Sequence, residues 1–104
     1  MTAHTKQIAT YADFYKFYLG EHSNRTNRRL HILGTTNAAA LGVTAVAIGK
    51  PSLVGLAMIQ GYAFAWVGHF FYEKNKPATF KYPLWSFVSD WRMWYETITG
   101  KRAF

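Results

Sequence analysis

Two stretches of the chain, Leu30 to Gly49 and Pro51 to Tyr72, contain no Asp, Glu, Lys or Arg, and only Lys50 separates them, in the sequence GKPS. Each is long enough to cross a bilayer as a helix, because about 20 residues at ~1.5 Å per residue cover the ~30 Å hydrocarbon layer. So tight a connection predicts an antiparallel helical hairpin. On either side the pattern changes to an apolar stripe with polar residues between. Upstream, Tyr11, Phe14, Tyr15, Tyr18 and Leu19 fall at the i, i+3, i+4, i+7, i+8 positions of an amphipathic helix that Thr10 can cap. Downstream, Leu84, Phe87, Val88, Trp91, Trp94, Tyr95 and Ile98 repeat the stripe, with Pro83 suited to a first turn and Gly100 to a stop.

Between these elements, SNRTN breaks the first stripe and offers Asn27 as the cap of the next helix, and KNKPATFKYP reads as a loop. Residues 1–9, His4 included, show no period and are expected to form a disordered tail. The prediction is one all-α domain over residues 1–104: an integral membrane hairpin of two spans, flanked by two amphipathic interfacial helices. The flanking helices are rich in Trp and Tyr, which favour the headgroup region, so they are expected along the interface or packed over the mouth of the hairpin. Their aromatic stripes read as packing surface.

Charge sets the orientation. Lys and Arg number 12 against five acids, a net charge of +7. RTNRR and EKNK lie at the same end of the hairpin, and the positive-inside rule places that end, with both termini, on the cytoplasmic side. Attached to a hydrophobic hairpin, the basic run reads as a topology signal or a contact with anionic lipid, not as a nucleic-acid site. The late start of the first apolar interval, behind a polar and aromatic segment, argues against a cleavable signal peptide. Thr35, Thr36, Asn37 and Gln60 lie inside the apolar intervals and keep a soluble, oligomeric helical bundle in view. The chain has no cysteine, so disulfides and thiolate metal sites are excluded. It also lacks a phosphate loop and a recognisable serine triad.

Histidine and carboxylate remain as candidate chemistry. Counted from the turn, His31 lies about 19 residues before and His69 about 19 after, which predicts both imidazoles at one level near the cytoplasmic interface. His31 shares a stripe with Thr35, Ala38, Gly42, Ala45 and Gly49, and His69 shares one with Ala65 and Gly61, with Glu73 a turn further on. Small residues mark where lipid-embedded helices approach, so both histidines are expected to face the helix interface or a cavity beside it. His22, at the end of the first amphipathic helix, can fold back over this mouth. Three imidazoles and a carboxylate suffice to hold one divalent metal, iron or zinc. The same side chains can instead bridge helices by hydrogen bonds. Four histidines are too few for a di-iron lipid hydroxylase or desaturase, and a small-residue interface leaves little width for haem.

The segments FYLGEHSNRTNRRLHILGT, with His22, Asn27 and His31, and GHFFYEKNKPATF, with His69, Glu73, Lys74 and Pro77, resemble the 2-hydroxy fatty acid dioxygenase family of small membrane proteins. The resemblance covers roughly residues 10–100, although this chain is shorter than the fungal pattern and has one tight hairpin where longer members carry further hydrophobic segments. It implies an iron(II)-dependent dioxygenase that shortens a 2-hydroxy fatty acid by one carbon, using molecular oxygen. It gives His22, His31 and His69 the metal-ligand role, and Glu73 a place in the catalytic set, on the metal or orienting a histidine. A 2-hydroxy acid can chelate iron through its hydroxyl and carboxylate while its acyl chain stays in the bilayer, and Arg25, Arg28 and Arg29 are candidates to pair with the carboxylate. The expected partners are this acid, oxygen and membrane lipid, without nucleic acid. Two spans shield such polar faces poorly, so a homo-oligomer is a further expectation. The competing reading is a non-enzymatic membrane scaffold or lipid-binding protein with structural histidines.

Overall fold

The computed structural model describes residues 8–104, so His4 and most of the expected tail lie outside the described residues. The fold is all-helical, with four helices and no strand among the described residues. Helix α1, Tyr11–Gly20, begins at Thr10, whose Oγ1 accepts the Asp13 N–H at 3.2 Å. Helix α2, Arg25–Ile48, is capped by Asn24 and not by Asn27: the Asn24 side-chain oxygen accepts the Asn27 N–H at 3.1 Å. Asn27 sits three residues inside the helix, fully buried, because Gly68 leaves it a seat; a Cβ on Gly68 would land on its Oδ1.

Gly49 ends α2 in the left-handed region at φ 66°, and α3, Ser52–Val67, starts directly after Pro51. The helix does not stop at Val67. It widens into a π-helical segment, Gly68–Glu73, and closes at Lys74, itself left-handed at φ 65°. A short 3₁₀ turn, Ala78–Phe80, leads into α4, Pro83–Ile98, with Pro83 in its first turn.

Close backbone approach holds the hairpin together. A Cβ on Gly34 would lie 2.9 Å from the Cβ of Phe64 and 3.3 Å from the carbonyl oxygen of Gly61. Gln60 Nε2 crosses to the Gly34 carbonyl at 2.7 Å, and Ala45, Ala57 and Ala65 are buried along the seam. This is the small-residue packing expected where helices meet without a hydrophobic drive between them. Arg25–Ile48 and Ser52–Glu73 are each long and apolar enough to cross a membrane, and only 22% of each apolar stretch is buried. Val46 is 85% exposed and Ile59 71%.

Helices α1 and α4 pack on each other and over the histidine end of the hairpin. Their core is Phe14, Tyr15, Tyr18 and Met93, with Trp85 and Tyr82 against Phe14 at ring separations of 5.5 and 5.2 Å. Three tyrosine hydroxyls tie the pair: Tyr11 to Ser89, Tyr15 to Glu96 and Tyr18 to Asp90. Helix α4 reaches α2 where the Trp94 indole N–H donates to Thr36 Oγ1 at 2.9 Å. Only part of the apolar stripe of α4 packs: Trp91 and Trp94 are half-buried, and the rest faces out. Leu84 is 73% exposed, Val88, Tyr95 and Ile98 are also exposed, and the buried face carries Ser86, Ser89 and Met93. The reversal follows from what α4 covers: a polar cluster needs small and polar neighbours, and the apolar side is left for the surroundings.

Candidate metal centre

Each of three elements brings one histidine to the same point. His22 follows the last turn of α1, His31 lies in the second turn of α2, and His69 lies in the π segment. All three are buried, at 1, 5 and 1% exposure. Ring centroids are 4.5 Å apart for His22 and His31, 4.5 Å for His22 and His69, and 5.5 Å for His31 and His69. Counting from the turn thus places His31 and His69 at one level, and α1 folds His22 back onto them.

The partners of the rings define what the cluster can do. His22 Nδ1 meets the Tyr18 carbonyl at 2.7 Å, His31 Nε2 meets Asp90 Oδ1 at 2.9 Å, and His69 Nδ1 meets Asn75 Oδ1 at 2.7 Å. The Asn75 amide is oriented by its Nδ2, which donates to the carbonyl and Oε1 of Glu21, both at 3.2 Å. Every acceptor is an oxygen, so each ring donates one N–H and keeps a lone pair on its other nitrogen. Two of those nitrogens, His22 Nε2 and His31 Nδ1, are buried with no protein partner. Burial, reinforced by His31 and His69, holds the His22 imidazole well below its ordinary pKa, in the neutral form that a metal ligand requires.

The three rings border a cavity of about 10 Å³, whose other lining includes Tyr18, Asp90 and the buried hydroxyl of Ser86, also without a partner. That is room for roughly one water-sized guest. One ring nitrogen from each histidine lies within 4.8 Å of the other two. Two bonds of ~2.1 Å set end to end span ~4.2 Å, so small inward settling of the rings closes the set on an ion. Three buried imidazoles, each fixed by one ring nitrogen around an atom-sized void, fit a metal with open positions.

Sequence reasoning missed the residues that hold the rings. Asp90 Oδ1 also accepts the Tyr18 hydroxyl at 2.5 Å. Burial, followed by the Asp90 charge and this hydrogen bond, pushes the Tyr18 phenol well above its ordinary pKa, so it remains a donor. Tyr18 further stacks on His22 at 4.2 Å. An acid in the middle of an otherwise aromatic and apolar helix, in a chain with five acids, was the available signal. Glu73 is near the cluster but is not brought into it. Its carboxylate accepts the Ser23 hydroxyl at 2.7 Å, the Asn24 N–H at 2.8 Å and Asn27 Nδ2 at 3.1 Å, capping the start of α2.

The arginines also lie apart. Arg28 donates to the carbonyls of His22 and Ser23 at 3.1 and 2.9 Å, which fixes the turn that carries His22. Arg29 donates to the Phe104 carbonyl at 3.3 Å and sits 5.0 Å from that ring, and Arg25 is exposed. None of the three lines the histidine cavity or the cleft next to it.

No curated protein and no solved structure matches the chain. A family model does: residues 8–102 match the one described as 2-hydroxy-palmitic acid dioxygenase Mpo1-like, a name that carries an oxygen-dependent activity on a 2-hydroxy fatty acid. The match takes in α1 through α4, and so every residue that builds the histidine cluster; the chain belongs to the Mpo1-like family.

Proposed function

We propose that this protein is an iron(II)-dependent dioxygenase of membranes that removes one carbon from a 2-hydroxy fatty acid. The observation that carries the reading is the convergence of three buried imidazoles, each pinned by one ring nitrogen, on a small void that they share with Asp90 and Ser86. Structural histidines would be expected to have both nitrogens satisfied, and unpartnered buried polar atoms are costly.

His22, His31 and His69 would hold the metal and leave positions open for substrate and oxygen. Iron(II), when bound, supplies the redox chemistry with oxygen that no side chain here offers, and zinc has none to supply. Written as RCH(OH)COOH + O2 → RCOOH + CO2 + H2O, the reaction balances without a separate reductant. The chain's own residues fix the geometry. Asp90, Asn75 and the Tyr18 carbonyl orient the three rings, and the Ser86 hydroxyl is free to hydrogen-bond the polar head of the substrate. Glu73 acts as a positioning residue by tying the start of α2 to the π segment that carries His69. Arg25, Arg28 and Arg29 draw the carboxylate and anionic headgroups toward the mouth without touching the reacting atoms. The hairpin embeds in the bilayer with both termini cytoplasmic, as the basic segments at its histidine end require.

The test is oxygen uptake by iron(II)-loaded protein in detergent with 2-hydroxypalmitic acid, with mass spectrometry of the product. Equal amounts of oxygen consumed and one-carbon-shorter acid formed are expected. Bound iron with no shortened acid above a protein-free control would reject the reading.

A further inference from the structure

A cleft runs from the histidine cluster along the hairpin. At its inner end it shares His31, Tyr62, Ala65 and Asp90 with the metal cavity. At its far end it is lined by Ala38, Ala57 and Met58, and Phe87 and Trp91 of α4 wall one side. From His31 to Ala38 the helix advances about 10 Å, so the cleft reaches about a third of the way across a ~30 Å hydrocarbon layer. Beyond Asp90 and His31 at the inner end, no charged side chain is among its lining residues.

Small residues alone would say little, since they are also how the two helices approach each other. The inner end adds what the rest of the seam lacks, because there the cleft is walled by His31 and Asp90 of the histidine site itself. The cleft is thus polar at the end whose walls it shares with the histidine cavity and mainly apolar along the rest of its length. That is the outline of an amphiphile whose head is an acid and whose tail is a hydrocarbon.

We propose that this cleft holds the acyl chain of the 2-hydroxy acid, admitted sideways from the bilayer between α3 and α4, and that Ala38 and Ala57 set which chain lengths are accepted. The inference rests on the dioxygenase reading of the histidine site. A leucine at either alanine would fill the far end of the cleft while leaving the histidines and their partners untouched. A short acid stops before reaching it, and a long one does not.

The test uses a 2-hydroxypalmitic acid analogue carrying a diazirine in mid-chain, photolysed on the iron-loaded protein in lipid nanodiscs, with labelled peptides mapped by mass spectrometry. Labelling is expected at the cleft, at Met58 and Trp91, and is expected to be displaced by excess 2-hydroxypalmitic acid. In Ala38→Leu and Ala57→Leu, the ratio of kcat/KM for 2-hydroxypalmitic acid over 2-hydroxyoctanoic acid should fall by roughly 10-fold or more, with iron content unchanged. Displaceable label on the outward residues Val46 and Ile59, or label at the cleft that the acid does not displace and that marks a seat for bulk lipid, would overturn the proposal. So would an unchanged ratio in both variants. Displaceable cleft labelling without turnover would instead count against the dioxygenase reading and leave the cleft as a fatty-acid site.

Discussion

The two ends of the hairpin obey opposite rules. At the end that carries His31 and His69 buried polar side chains sit under the aromatic core of α1 and α4, and each ring has a fixed acceptor. At the other end, around Gly49 and Lys50, no further element among the described residues packs on the two helices, and Val46, Ile48 and Val54 face outward. A hydrogen-bonded cluster in a low-dielectric interior demands positioning, because every unsatisfied group there is expensive. An apolar tip in lipid demands only backbone bonds made within each helix. Precise positioning is therefore concentrated at the histidine end, and the other end is held by the backbone bonds of the two helices.

The contrast breaks most sharply in substitutions placed at the two ends. His31→Ala should empty the metal site and abolish turnover, whereas Val46→Ala should leave iron content, rate and melting temperature unchanged, consistent with the roughly ±0.5 kcal/mol typical of outward positions. Elemental analysis of protein purified without oxygen, with a thermal melt of each variant, checks both. Equal loss of iron in the two would mean that the site depends on the whole hairpin.

Within the histidine end, the two nearby carboxylates should part company. Asp90→Asn weakens the acceptor that pins His31 and should lower iron affinity about 10- to 100-fold. Glu73→Gln weakens the cap on α2, and stability should fall by about 1 kcal/mol with iron affinity nearly unchanged. Iron titration under anaerobic conditions, beside thermal melts, separates these effects. An empty site in Glu73→Gln with a normal one in Asp90→Asn would exchange the roles assigned to them.

That division between Asp90 and Glu73 also marks what was legible in the sequence. The hairpin, and the common height of His31 and His69, follow from two charge-free intervals and a count from Lys50, because helical rise is fixed. Glu73 looked like a partner of His69 because it is four residues on, yet its carboxylate is taken up by Ser23, Asn24 and Asn27 at the start of α2, contacts that spacing along one helix does not reveal. Asp90 was hidden by the apolar stripe of α4. In water such a stripe faces inward, but here Leu84, Val88, Tyr95 and Ile98 face outward, and the face with Ser86, Ser89 and Asp90 meets the histidines. Periodicity identifies two faces of a helix; what surrounds the protein decides which one is inside.

A gentler pair of changes probes the seam joining the two ends. Gly34 has no space for a side chain, and Gly34→Val should destabilise the protein by about 1–3 kcal/mol by forcing α2 from α3 beside Phe64. At Gly42 an added Cβ meets nothing within 4 Å, so Gly42→Ala should be neutral or stabilising by up to ~1 kcal/mol through helix propensity. Thermal melts in one detergent compare the two. A large loss in Gly42→Ala would reveal a tightly packed partner on the outward side of α2.

The smallest effect expected is one of pH, at the dock between α1 and α4. Burial alone would raise the Glu96 carboxyl, but hydrogen bonds from Tyr15 and Arg102, with the Arg102 charge and Arg92, hold it below its ordinary value. A depressed folded-state pKa means that the unfolded chain binds the proton first on acidification. The stabilisation from Glu96 is thus fully present above the unfolded value of about 4.3 and is lost as pH falls through the lower, folded one. Melting temperature should drop over that window, and Glu96→Gln should flatten the drop while leaving iron content as in the wild type. An equally steep drop in Glu96→Gln would place the acid sensitivity at another carboxylate, and would shift attention from the α1 and α4 dock to the histidine end.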